Sequence, residues 1–147
     1  MSPPMTPVEA LQKALAGEHA AVHLFGLLGA QSSKSRQPIL FRQLNAAYGA
    51  HRTARDQLTV LITAKGSDPV AAEVSYDVPG PVATPAEVVA VALTIERRLT
   101  SIHGELVANT SGSDRRWAIR ALDAGALREL TFGAQPEHFP GLDRPAG

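Results

Sequence analysis

From Thr84 to Leu106 the apolar residues Val88, Val91/Ala92, Ile95, Leu99, Ile102 and Leu106 recur at steps of three and four. That spacing draws one stripe along a helix. Thr84, Pro85 and Glu87 form the start signal: an N-cap hydroxyl, a proline at the first helical position, and a capping-box glutamate. Thr6-Pro7-Val8-Glu9 repeats it and opens a first helix over 7–31, with Leu11, Leu15, Val22, Phe25 and Leu28/Gly29 on one face. The polar group Gln31–Gln37 breaks the pattern. A second helix over 37–65 follows from Leu40/Phe41, Leu44, Ala47/Tyr48, His51, Arg55, Leu58 and Ile62, and stops at Gly66. Residues 66–84 have no helical period and carry Pro69, Pro79 and Pro81. Extended, such a segment reaches ~50 Å, more than the ~40 Å of a 26-residue helix, so it can cross the length of a bundle. The third helix runs over 85–108. Asn109–Gly112 is a turn, and Ser113 or Asp114 is the expected cap of a fourth helix over 113–133. Trp117/Ala118, Ala121/Leu122, Gly125/Ala126 and Glu129/Leu130 form its buried side. A tail over 134–147 is expected to lie on the bundle through Phe139 and Leu142.

The pattern predicts an all-α, antiparallel four-helix bundle made of two helical hairpins joined by a long crossover. A length of 147 residues fits one domain, 1–147. The apolar content is mostly Ala, Leu and Val with 5% aromatics, which suits close helix packing better than a β-sandwich.

Charge and composition narrow the partners. Fourteen basic and fourteen acidic residues leave no net field, which argues against nucleic acid and against an anionic membrane surface. The absence of cysteine removes disulfides, thiolate metal sites and cysteine catalysis. The N-terminal stretch lacks a basic region and an uninterrupted apolar core, so it does not read as a signal peptide. No apolar run approaches the ~20 residues of a membrane span. The expected location is the cytoplasm.

The two halves match at an offset of 78 residues, the distance from Thr6 to Thr84. At that offset Glu18 falls on Glu96 and His51 on Glu129. Self-similarity of this kind is the mark of a duplicated hairpin. Measured from the turn of each hairpin, Glu18 and His51 lie about equally far along their helices, and Glu96 and Glu129 agree within about one helical turn. Four inward-tending ionisable groups at one level are the plan of a carboxylate metal site.

On these residues the chain resembles the ferritin-like superfamily of ferritins, bacterioferritins and rubrerythrins, and looks closest to uncharacterised ferritin-like domains from actinobacteria. The resemblance covers Thr6 to Phe132, and the bias of eleven Arg to three Lys suits a high-GC genome. It implies a glutamate from the first and third helices and Glu-x-x-His from the second and fourth. This chain has Glu18, then Tyr48-Gly49-Ala50-His51, then Glu96, then Ala126-Leu127-Arg128-Glu129. Tyr48 and Ala126 stand where bridging carboxylates would be. A pair of cations ~3.5–4 Å apart needs those bridges, so an intact di-iron oxidase is not expected.

Each candidate carries two readings. Glu18 and Glu96 are metal ligands, or buried carboxylates paired with Arg52, Arg55 or Arg128 that only fix packing. His51 is a nitrogen ligand, or an interior histidine bonded to Glu18 or Tyr48. Tyr48 and His103 are candidates for a supporting shell. His19 and His23 have the spacing of a surface zinc pair but lack a third ligand. Arg115, Arg116 and Arg120 crowd a helix start, where cations oppose the dipole.

The expectation is a non-catalytic binding or interaction protein with a degenerate metal site and no cofactor. Whether it is an enzyme stays open. The alternative is a metal-handling protein or oxidoreductase with a single Fe, Mn or Zn ion on Glu18, His51, Glu96 and Glu129. Expected partners are a second copy of the chain or another protein, and a small apolar ligand in the Ala-rich interior is a third reading.

Overall fold

The structure, a computed structural model, describes residues 3–142. The tail expected over 134–147 therefore falls partly outside the described residues. Four helices and no strands make up the described chain: α1 (Pro7–Gln31), α2 (Pro38–Ala64), α3 (Pro85–Ala108) and α4 (Gly112–Thr131). They pack as a four-helix bundle.

The repeated start signal has the same geometry both times. Thr6 Oγ1 accepts from the Glu9 N–H at 3.2 Å, and the Glu9 carboxylate accepts from the Thr6 N–H at 2.8 Å. Thr84 and Glu87 do likewise at 3.2 and 3.0 Å. Each box satisfies two N–H groups that a helix start would leave orphaned. Helix α2 ends at Ala64, and Gly66 just beyond it donates its N–H to the Thr63 carbonyl and turns the chain away at φ 77°.

The start of α4 departs from expectation. Its N-cap is Ser111, without a side-chain bond, rather than Ser113 or Asp114. Gly112 makes the turn at φ 59°, which moves the helix start forward. The Asp114 carboxylate is then free to reach Lys65 Nζ at 2.7 Å.

The core is in two parts with a polar layer between them. One cluster holds Leu24, Phe25 and Leu28 of α1, Leu40 and Leu44 of α2, Val88 to Leu99 of α3, and Phe132. The other holds Leu11 and Leu15 of α1, Leu58 and Ile62 of α2, Leu106 of α3 and Ala118 of α4. The first half of α1 thus meets the second half of α2, and the second half of α1 meets the first half of α3. At ~1.5–3 kcal/mol for each large apolar side chain, these clusters carry most of the packing energy.

Helix α4 is held by α3 and hardly at all by α2. Its buried residues are Asp114, Ala118, Gly125 and Glu129, small or charged throughout, and Leu130 is 40% exposed instead of buried. Gly125 is what seats it on α3, because a Cβ there would lie 3.0 Å from Thr100 Oγ1. Against α2 it makes few contacts.

The segment between α2 and α3 runs along α1. Gln12 holds it with two bonds, to the Asp68 carbonyl at 2.7 Å and from the Val70 N–H at 2.8 Å. His19 Nε2 lies 3.0 Å from the Val70 carbonyl, and the His23 ring tilts against Tyr76 at 5.4 Å. His19 and His23 therefore hold the crossover.

After α4 the chain comes back over α3 through Gly141, not through Phe139 and Leu142, which are 66% and 67% exposed. At φ 82° and without a side chain, Gly141 sits so close that a Cβ would fall 2.7 Å from the Thr100 carbonyl oxygen.

Candidate functional site

The polar layer is built from one helical position on each element. Glu18 of α1 falls one turn beyond Leu15 on the buried stripe, and Glu96 follows Ile95 in α3. His51 of α2 continues the register of Leu44 and Ala47. All three are fully buried. The helices bring them into direct contact. His51 Nδ1 is 2.6 Å from Glu18 Oε2, and His51 Nε2 is 2.8 Å from Glu96 Oε1. Phe25 stacks on the imidazole at 5.2 Å and seals it from above.

An ionised carboxylate only accepts, so a ring bonded to two of them must donate from both nitrogens. The electrostatics agree. Burial alone would raise the Glu18 pKa, but the charge and bond of His51 and the nearness of His103 outweigh it and bring it from 4.5 to about 2. Burial alone would lower that of His51. The Glu18 charge and the bonds to Glu18 and Glu96 outweigh this and lift it from 6.5 to about 9. His51 is an imidazolium at neutral pH.

A second cation comes from α4. Arg128 Nε donates to Glu96 Oε1 at 2.9 Å, with its side chain 20% exposed. Of the three arginines considered as carboxylate partners, Arg128 takes the role. Arg55 pairs with Asp56, and Arg52 stands over the Tyr48 ring at 5.5 Å. Two carboxylates, one imidazolium and one guanidinium form a neutral network.

His103 joins from the next turns of α3. Its Nε2 is 3.1 Å from Glu18 Oε1, but out of line for a good hydrogen bond, so Glu18 Oε1 and both His103 ring nitrogens lack an aligned partner. Glu96 Oε2 is also unpartnered. Glu129 is buried on α4 and borders a shallow cleft with Leu127, Gln135 and Pro136. Tyr48 is half-buried against the upper cluster.

This donor set does not fit a metal ion. A ligating imidazole must offer a lone pair, and both nitrogens of His51 are occupied by N–H bonds to carboxylates. Among the described residues, no three His, Asp or Glu side chains are disposed to hold a cation together.

Beside the network, between α2 and α4, lies a half-open cleft of about 370 Å³. Ala50, Ala54, Ala121 and Ala124 make its walls, and the buried Glu18 and His103 lie behind its inner side. Trp117 stands at one end, its indole N–H bonded to Gln57 Oε1 at 2.8 Å and its ring edge-on to His103 at 6.0 Å. Arg120 and Arg128 also line it. The cleft was not legible in the sequence. The facing alanines are its only signal, and they act only once α2 and α4 are known to be neighbours.

Residues 10–144 match the model of a family described as a domain of unknown function, DUF4439. The chain belongs to this family. A solved structure similar to it is that of a conserved hypothetical protein, rv2844, from Mycobacterium tuberculosis. The two share 26% identity and a TM-score of 0.80, over 89% of this chain and 97% of the other. Among curated proteins none matches. Family and neighbour together fit an uncharacterised actinobacterial family. No helix among the described residues is long and apolar enough to cross a membrane.

Proposed function

We propose that this DUF4439 protein is a ferritin-like, antiparallel bundle that works by binding and carries its own cations where metal-binding relatives of that fold would carry metal. The observation behind this reading is the position of His51, with a buried carboxylate on each ring nitrogen. Such an arrangement compensates Glu18 and Glu96 internally and leaves the His51 ring no lone pair for a metal. The packing of each half of α1 on the opposite half of α2 and of α3, and the crossover lying along α1, support the ferritin-like arrangement. On α4 the exposed Ile119, Leu127 and Leu130 favour self-association through that helix.

The second reading, one Fe, Mn or Zn ion held by Glu18, His51, Glu96 and Glu129, rests on the unpartnered oxygens Glu18 Oε1 and Glu96 Oε2. It requires His51 to lose a proton and release a carboxylate. Elemental mass spectrometry on protein grown in metal-replete medium and purified without chelator separates the two. Less than about a tenth of an ion per chain, unchanged after iron(II) soaking, is the expected result. Near one ion per chain, lost in Glu18→Gln, would overturn the proposal.

A further inference from the structure

Three features of the α2/α4 cleft point to a ligand. The first is its size, about 370 Å³, within the ~300–1,000 Å³ of small-molecule sites. The second is the buried face it exposes. Glu18 and His103 are 0% and 1% accessible, and His103 Nδ1 has no hydrogen-bond partner, while Glu18 Oε1 and His103 Nε2 face each other 3.1 Å apart out of line. A polar atom buried without a bond carries a desolvation cost that a bonded guest would recover. The third is the charge at its lining. Arg120 makes no ion pair among the described residues, and Arg128 engages Glu96 through Nε.

These features select a guest with two different ends. Glu18 offers carboxylate oxygens to a ring that already donates to it, so the inner end must donate a hydrogen bond. The network beneath is already neutral, so an ammonium would add an uncompensated buried charge, and a neutral hydroxyl suits better. Near Arg120 and Arg128 a carboxylate is favoured, the guanidinium fork matching its two oxygens. Between the ends, four alanines and Trp117 leave room for a flat apolar body. Resting on the binding reading above, we infer that this cleft binds a small hydroxylated organic acid, its hydroxyl on Glu18 and His103 and its carboxylate on Arg120 and Arg128.

The test is a titration of the full chain with 4-hydroxybenzoate and 3-hydroxybenzoate, read by calorimetry and by the Trp117 indole N–H resonance. Benzoate and 4-methoxybenzoate serve as probes that lack the donor. The expected result is a dissociation constant of about 1 mM or lower for at least one hydroxy acid, with a shifted Trp117 signal. The donor-free acids should bind about tenfold more weakly. Arg120→Ala, an exposed substitution that leaves the core untouched, should weaken the hydroxy acid by a similar factor. Ala124→Leu, which fills the cleft from the α4 side, should abolish the response. No binding by either hydroxy acid, equal binding by benzoate, or indifference to both variants would overturn the inference. Metal analysis of the same sample keeps the two proposals apart. A metal-free protein that ignores the acids loses only the ligand, whereas a stoichiometric ion defeats the binding reading itself.

Discussion

His51 and Glu18 meet at 2.6 Å in the middle of the bundle, and neither side chain reaches solvent. The pair is expensive to break from one side. His51→Ala leaves Glu18 and Glu96 facing each other without their shared cation, and removal of one partner of a buried pair costs ~3–5 kcal/mol. Arg128→Ala should cost less, because its side chain is partly exposed and water can replace some of what is lost. Urea unfolding of both variants checks the order. A loss below about 1 kcal/mol for His51→Ala would contradict the account of the network.

Linkage gives the same pair a pH signature. Glu18 is depressed from 4.5 to about 2, so its contribution is full above pH 4.5 and is lost as pH falls toward 2. His51 is raised from 6.5 to about 9, so its contribution is full below pH 6.5 and is lost as pH rises through 9. Stability should be greatest between these limits and fall on both sides. His51→Gln should remove the alkaline fall. Ring-nitrogen shifts in a labelled sample at pH 7 should report a doubly protonated His51, and a neutral ring there would refute the imidazolium assignment.

The matched helix starts make a separate prediction. Thr6→Ala and Thr84→Ala each delete the hydroxyl that accepts from the third helical N–H. Each should cost ~1 kcal/mol, and Thr→Ser at either place should cost much less. Since the two boxes have the same bonds, their unfolding costs should agree. Agreement in urea midpoints would support the two starts as equivalent units, and a cost at only one of them would not.

How much of this was readable in advance depends on how local the cause is. The starts of α1 and α3 follow from Thr-Pro-x-Glu, four adjacent residues whose bonds are made among themselves. The start of α4 was misplaced because Gly112 and the reach of Asp114 to Lys65, a residue of another helix, decide it. The 78-residue offset put Glu18, His51, Glu96 and Glu129 on buried positions, and all four are buried. It could not say whether the carboxylates face a metal or an imidazolium. That turns on ring-to-carboxylate distances of a few tenths of an ångström, which periodicity does not encode. Gly141 against Thr100 is of the same kind. Phe139 and Leu142 are the apolar residues of the tail, but the close approach is made by the residue without a side chain.

If the network mainly fixes the geometry of the layer, it can be replaced whole although it cannot be cut in part. Glu18→Met, His51→Leu and Glu96→Met made together remove both buried carboxylates and the imidazolium at once. Their volumes are close to those they replace. Substituting apolar groups for an entire buried ionic cluster is often neutral or stabilising by ~1–4 kcal/mol, because the desolvation of each ion disappears with it. Arg128, already at the surface, can turn to water. The triple variant should therefore unfold at a urea concentration equal to or above that of the parent, with the pH dependence gone, while His51→Ala alone is strongly destabilised. It should also lose the response to 4-hydroxybenzoate, because Glu18 is the inner acceptor. A triple variant as unstable as the single one would mean that the charges contribute more than geometry, and a functional role for them would then have to be sought in the network itself.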